Sequence, residues 1–256
     1  MKAGLWGLGI VLAYALFLLV TAPASWAAYA LAHASQGQVV LSSPKGSFWT
    51  GRGQLYWRGG QAPVHVGRLS WHVQGWELLA GAVRADLVLR GPIAAKLRVT
   101  RSLKTLTLSQ LHVRTRGGAL NPLSPEIQLL GFAGPVRLDI PRLVFSATQV
   151  TGQGRLDWDE AGLSISRVRP LGSYDLAMRG HGHQLHLELE TRSGPLQVAG
   201  TGTWTVTGGA GFAGTMSVPD GNPRLLRLLQ FVGTPAGVNE RRFALQMSVP
   251  GWNQMF

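Results

Sequence analysis

Three histidines near the middle of this 256-residue chain are the first candidates for chemistry, because imidazole nitrogen is a common ligand of zinc. They are His181, His183 and His186. In an extended strand residues 183 and 186 would point to opposite faces, and no suitably spaced carboxylate completes a set of ligands. We therefore expect no metal site and no other cofactor.

Three acidic residues form a second group. Asp157, Asp159 and Glu160 could hold a hard cation in a loop, since Ca²⁺ and Mg²⁺ prefer oxygen ligands. Gly162 follows two residues after Glu160 and is typical of an ordinary turn. The sequence therefore predicts a loop here.

Glycine pairs of the Gly-x-Gly type could suggest phosphate-binding loops. None of them leads into a helix with the third glycine that a dinucleotide-binding fingerprint requires, so we interpret them as turns or bulges. A Gly-x-Ser-x-Gly elbow is absent from the sequence and the remaining acidic residues are dispersed, so the sequence lacks the catalytic groups of a hydrolase. The sequence predicts a protein that is not an enzyme. The glycine pairs are Gly51 and Gly53, Gly152 and Gly154, and Gly200 and Gly202.

Composition favours short strands joined by turns. Hydrophobic residues make up 45% of the chain and charged residues only 14%, with 34 Gly, 14 Pro and no Cys. The net charge of +12 would attract anionic lipid or nucleic acid. The basic residues are scattered singly between apolar ones, which is typical of solvated strand faces, so we expect no nucleic-acid partner.

The amino terminus contains an apolar segment, residues 3–22, that is long enough to cross a bilayer as a helix. Only Lys2 precedes it, and the next positive charge is Lys45, so the positive-inside rule leaves residues 1–2 in the cytoplasm and exports the rest. The alternative is a cleaved signal peptide, but this apolar stretch is longer than the core of such peptides. We expect a single-pass inner-membrane anchor in contact with lipid, a linker at 23–44 and a periplasmic domain at 45–256.

Apolar and polar residues alternate with period 2 after the anchor, which predicts strands with one covered face. Gly-Pro pairs at residues 91, 134 and 194 stand just before such segments, where proline costs no ladder hydrogen bond. Many short strands without intervening helices predict a large, curved antiparallel sheet, either open or groove-like. The clearest segments are 85–89, 97–99, 106–113, 136–140, 163–165, 185–190, 196–198 and 243–249.

Two segments favour helix over strand. Asn222, Pro223 and a leucine-rich stripe that ends before Gly233 predict a short amphipathic helix at 223–232, packed on the sheet. Ser124 and Gly131 could cap and end a helical turn at residues 125–130.

Several short motifs, taken in order, resemble a known family. The most specific is Pro-Leu-Gly-Ser-Tyr after a Gly-x-Leu-x-Trp segment. In this order the chain resembles the type II secretion system protein N family from the anchor almost to its end. The motifs are Gly46 to Gly51, Leu69 to Trp71, Leu78 to Gly81, Gly154 to Trp158, Arg169 to Tyr174 and Gly194 to Leu196.

The resemblance implies an inner-membrane accessory of the machine that exports folded proteins across the outer membrane, with other secretion components as partners. It supplies no catalytic residues. The motif residues Trp49, Gly51, Leu69, Trp71, Gly154, Leu156 and Trp158 are expected to be structural, with the tryptophans filling the covered face.

Residues 170–174 are predicted to form a turn that contacts a partner through Pro170, Leu171, Gly172 and Tyr174. The rival hypothesis is an AsmA-type lipid-handling module, in which the apolar face is an open groove for a lipid ligand. The two hypotheses differ in whether residues 223–232 seal that face.

Overall fold

The computed structural model describes residues 17, 21–59, 62–75, 77 and 81–247, without the side chain of Glu126. The fold is mainly β, as predicted. The strands are β1 (Val39–Gly46), β2 (Thr50–Trp57), β3 (Val64–Gln74), β4 (Ala82–Arg90), β5 (Ile93–Ser102), β6 (Thr105–Arg116), β7 (Phe132–Ala133), β8 (Pro135–Ser146), β9 (Val150–Leu163), β10 (Gly172–His181), β11 (Gln184–Ser193), β12 (Gln197–Thr205), β13 (Ala210–Ser217), β14 (Thr234–Pro235) and β15 (Glu240–Met247). The α-helices are α1 (Ala24–Ala34), α2 (Pro125–Leu130) and α3 (Pro223–Leu229), and the turns Gly117–Ala119 and Asn121–Leu123 are 3-10 helices.

All strand pairs that the structure describes are antiparallel, and consecutive strands pair almost throughout. The order is β1-β2-β3-β4-β5-β6-β8-β9-β10-β11-β12-β13-β15-β14, and β7 pairs with β9 outside this path. Among the described residues the outermost strands β1 and β14 do not pair with each other, so the sheet is open. The predicted antiparallel meander is therefore confirmed.

The Gly-Pro pairs mark strand starts, as predicted. Strand β5 begins just after Pro92, β8 begins at Pro135, and β12 begins two residues after Pro195. The strand predicted at residues 163–165 is wrong, because β9 ends at Leu163 and a turn follows. The predicted strand at 243–249 is confirmed to Met247, and its last two residues lie outside the described part.

One face of the sheet is apolar across eleven strands. Residues opposite each other in an antiparallel pair lie on the same face, so the register can be followed from strand to strand. We call this the inner face. One row across it contains no charged residue and consists of Leu69, Leu89, Ala95, Val113, Leu138, Leu156, Leu176, Leu189, Gly200, Gly214 and Phe243.

Helix α1 lies in the segment predicted to be a linker and covers the inner face near its first strands. Ala24, Leu41 and Trp71 form a buried cluster there, against which Ala28 and Leu31 of the helix pack. The alanine-rich sequence explains the helix, because alanine has the highest intrinsic helix propensity. Helix α1 and strand β1 therefore pack with the sheet ahead of residue 45.

The predicted anchor at 3–22 lies outside the described residues except for positions 17, 21 and 22. No helix in the described part of the chain is both long enough and apolar enough to cross a membrane. The anchor therefore stays a prediction.

Both predicted short helices are present. Helix α2 begins after Ser124, whose side chain accepts a hydrogen bond from the Ile127 backbone amide, and ends at Gly131 in the left-handed conformation. Helix α3 begins after Asn222, which accepts a hydrogen bond from Arg224, but it ends at Leu229 rather than residue 232. Its last predicted turn is irregular because the Phe231 and Val232 amides donate to carbonyls only three residues back.

Candidate functional site

One end of the inner face is closed by curling of the sheet. Phe145 and Val150, at the turn between β8 and β9, are buried together with Leu185 and Val206. The backbone amide of Val206 donates to the carbonyl of His183 at 3.1 Å, which joins two neighbouring hairpin ends. This end of the sheet is therefore a packed core.

Helix α3 covers the opposite end of β9 to β13. Leu225 and Leu229 are buried against Leu171 and Val218. The predicted packing of this helix on the sheet is confirmed. It covers that end only, whereas α1 lies over the inner face of the first strands.

Among the described residues, no helix or second sheet covers the inner face of β4, β5 and β6, although Leu87, Leu108 and Leu111 at its borders pack against the neighbouring buried clusters. No residue of these three strands is buried, although their inward positions are apolar. In a two-layered sandwich such positions would pack against a second sheet or a helix. We call this uncovered part of the inner face the groove. Its apolar positions are Ala85, Leu87, Leu89, Ala95, Leu97, Val99, Leu108, Leu111 and Val113.

The glycine pairs lie inside strands, so the prediction of turns is wrong, whereas the alternative of bulges fits Gly53 and Gly154, which lie opposite register shifts in β1 and β8. Gly51 lies opposite Trp71 in the ladder, and a Cβ atom at position 51 would come within 2.8 Å of Cε2 of that ring. A Cβ atom at position 154 would come within 2.8 Å of Cγ1 of Ile140. Gly51 and Gly154 therefore make room for large apolar neighbours.

The remaining motif residues make contacts within the domain, and their structural role stays a prediction. The indole nitrogen of Trp71 donates to the Phe48 carbonyl at 3.0 Å, and that of Trp158 donates to the Ala133 carbonyl at 2.8 Å. Leu156 and Leu69 lie in the charge-free inner row. Trp49 lies in the turn between β1 and β2, where its carbonyl accepts from the Val73 amide at 2.6 Å. Leu78 to Ala80 of the second motif lie outside the described residues.

The acidic residues predicted to lie in a loop lie in strand β9. Asp159 pairs with Arg192 and with Arg137, the latter at 3.6 Å, so these carboxylates neutralise arginines on the outer face. Asp175 lies opposite Asp157 and pairs with Arg155 at 3.2 Å. Burial is the main cause that raises the pKa of the Asp175 carboxyl. The group forms an ion-pair network rather than an open cation site.

The three histidines do not converge. His181 ends β10, His183 lies in the following turn with Nδ1 against the Thr148 carbonyl, and His186 lies in β11 opposite Arg179. In the described part of the chain no group of three metal-ligating side chains could hold an ion.

The segment predicted to contact a partner is mostly interior. Leu171 is buried against Leu225 of α3, and Gly172 begins β10. The Tyr174 hydroxyl donates to the Leu196 carbonyl at 3.1 Å, and burial raises its pKa to about 12. Pro170, which follows a cis peptide bond, is exposed. Partner contact through this segment stays a prediction, and Pro170 is the member that could make it.

Sequence reasoning did not locate the free edge of β15. The short strand β14 pairs only with Arg241 and Arg242, so among the described residues nothing pairs with that edge from Phe243 to Met247. Leu245 in this stretch is 54% exposed. Unpaired N–H and C=O groups along a strand edge are a template for adding another strand.

The described part of the chain is an open, curled antiparallel sheet with an apolar inner face and a charged outer face. The family model for protein N of the type II secretion system matches residues 37–243, and the chain belongs to that family. This confirms the resemblance and shows involvement in type II secretion. Comparison with curated proteins and with solved structures gave no match.

Proposed function

We propose that this chain is a non-catalytic accessory of the type II secretion pathway, held at the inner membrane, that assists export of folded proteins through contacts with other secretion components. The family match carries the proposal. The free edge of β15 supplies a physical means of contact, because a partner strand added there would extend the sheet.

The kind of partner strand follows from the two faces of β15. Phe243, Leu245 and Met247 continue the inner face, whereas Ala244 and Gln246 belong to the outer face. A strand of alternating apolar and polar residues would continue both faces and satisfy the free backbone groups.

Photo-crosslinking in intact envelopes tests this contact. A photo-reactive residue at position 245 should give protein adducts that disappear when the other secretion components are not expressed. The same residue at position 103 is the control, because Leu103 is 88% exposed in the turn between β5 and β6. Equal adducts at both positions, or none at 245, would contradict the proposal.

The groove supports a second candidate function, the binding of a lipid chain. The observation that supports lipid binding is that β4 to β6 contain no buried residue although their inward positions are apolar. An extended peptide laid in such a charge-free groove would leave its backbone groups unpaired at a cost of several kcal/mol each, whereas an alkyl chain has no such groups.

Matched crosslinkers on β6 test this second candidate. A photo-reactive residue at Leu108, which lies in the groove, should give lipid adducts, and one at the adjacent Thr107, on the outer face, should not. Protein adducts alone at Leu108 would show that a polypeptide occupies the groove.

A further inference from the structure

The outer face of β1 to β3 contains a pocket of about 390 Å³ lined by three cations. Lys45, Arg52 and Arg68 line it together with Ser43 and Gln54. Within the part of the chain that the structure describes, none of the three cations makes an ion pair. A surface site with three unneutralised cations is favourable for an anion.

A bulge in β1 shapes this pocket. The register between β1 and β2 shifts between Ser42 and Lys45, and Ser43 has a φ of 49°. A bulge bends its strand and re-aims side chains, and a non-glycine residue at positive φ is strained. Such strain is concentrated at functional sites in proteins.

Gln54 is oriented by a neighbour. Its Oε1 atom accepts a hydrogen bond from Nε2 of His65 at 2.9 Å. This bond occupies the acceptor end of the amide, so the NH2 end is left to donate. The pocket therefore combines three cations with an oriented amide donor and the Ser43 hydroxyl, which are the groups that recognise phosphate oxygens.

Most of the net positive charge of the chain lies in its first six strands, three of which form the pocket. Residues 37–116 carry 12 Lys and Arg against 2 Asp and Glu, whereas residues 117–247 carry 11 against 10. The first six strands therefore contribute nearly all of the net charge of +12 and would draw an anionic surface toward this side of the sheet.

The pocket lies next to the end of the predicted membrane anchor. The Phe48 amide in the turn between β1 and β2 donates to the Ala22 carbonyl at 2.8 Å, and Pro23 forms a bridge with Ser47. If residues 3–22 cross the bilayer, this turn stands at the membrane surface, where lipid phosphates are the most abundant anions.

We propose that Lys45, Arg52, Arg68 and Gln54 form a binding site for the phosphate of an anionic phospholipid headgroup. The site would orient the sheet on the membrane surface. This lipid site depends on the predicted anchor but not on the proposed role in secretion. The lipid site and the secretion role can therefore be disproved independently of each other.

Native mass spectrometry of the full chain in a neutral detergent tests the site. The wild type should retain phosphatidylglycerol at about tenfold lower lipid concentration than phosphatidylcholine, because charge-assisted hydrogen bonds favour the uncompensated phosphate. The variant Lys45→Gln, Arg52→Gln, Arg68→Gln should lose this preference. The control variant Lys96→Gln, Arg114→Gln, Arg116→Gln removes the same charge from exposed positions outside the pocket and should keep it.

Three results would overturn the proposal. They are equal retention of the two lipids by the wild type, equal loss in the control variant, and displacement of phosphatidylglycerol by equimolar inorganic phosphate. Displacement by inorganic phosphate would show that the pocket binds the free anion. The single variant Arg52→Gln, which should weaken the preference in part, replaces the triple variant if the latter does not fold.

Discussion

The aromatic rings of Phe145 and Trp204 lie with their centroids 6.4 Å apart, although three strands separate the strands that carry them. In a flat sheet four spacings of about 4.8 Å would hold these strands roughly 19 Å apart. The sheet is therefore strongly curled at this end, with the apolar face on the inside.

Replacing Phe145 with alanine should destabilise the domain strongly. This side chain is only 1% exposed and fills the curl, so its truncation should cost about 3–5 kcal/mol of the free energy of unfolding. Leu103→Ala, at an exposed turn, is the control and should change this free energy by less than about 0.5 kcal/mol. Equal denaturation midpoints for the two variants would mean that the curl does not exist in solution.

Gly51→Ala should also be destabilising, because the new methyl group would overlap the buried ring of Trp71. Overpacking of this kind costs about 1–3 kcal/mol. Gly211→Ala is a matched control in another strand, where a Cβ atom would meet nothing within 4 Å. The thermal unfolding midpoints of the two variants should be compared. A Gly51→Ala protein as stable as Gly211→Ala would contradict the predicted overlap.

The burial of Leu225 in helix α3 should be essential to the stability of the domain. Leu225 is fully buried, so Leu225→Asp would place an unpaired carboxylate among apolar side chains, at a cost of several kcal/mol. Arg224→Ala, on the exposed side of the same helix, should be nearly neutral. Chemical denaturation that gives the same midpoint for both variants would show that the helix is peripheral.

Tyr174 should make stability depend on alkaline pH. Its folded pKa of about 12 is above the ordinary value of 10.0, so its contribution is complete below pH 10 and is lost as the pH rises toward 12. Tyr174→Phe should therefore show a weaker loss of stability from pH 9 to pH 11 than the wild type, while losing about 1 kcal/mol at neutral pH. Tyr29→Phe, at a 73% exposed position, should behave like the wild type in the same titration of urea midpoints. Parallel pH profiles for all three proteins would contradict the assignment.

The elements that local sequence determines were predictable. Ser124 and Gly131 correctly indicated both ends of α2, and the Gly-Pro pairs correctly indicated strand starts. These signals depend on backbone geometry within a few residues. The end of α3 was predicted three residues too late because its apolar stripe continues through Val232 after the regular helix has ended.

The features set by distant residues were not predictable. Gly51 was interpreted as part of a turn or bulge, because the Trp71 ring that requires a glycine there is twenty positions away in the sequence. Asp159 was placed in a loop because its partner Arg192 lies two strands further along the sheet. The groove exists because none of the described residues forms a layer over β4 to β6. Alternation alone cannot indicate this, since a covered and an uncovered apolar face give the same pattern.

Secretion by a strain that lacks this chain tests the central claim most directly. The amounts of type II substrates in the medium and in the periplasm should be compared with those of the same strain carrying the wild-type gene. Without the chain, we predict that folded substrate accumulates in the periplasm and that less of it reaches the medium. Expression of the wild type or of the Leu103→Lys control should restore secretion, whereas Leu245→Lys at the β15 edge should not. Normal secretion without the chain would contradict its role as a secretion accessory, and altered outer-membrane permeability in that strain would instead favour the lipid groove.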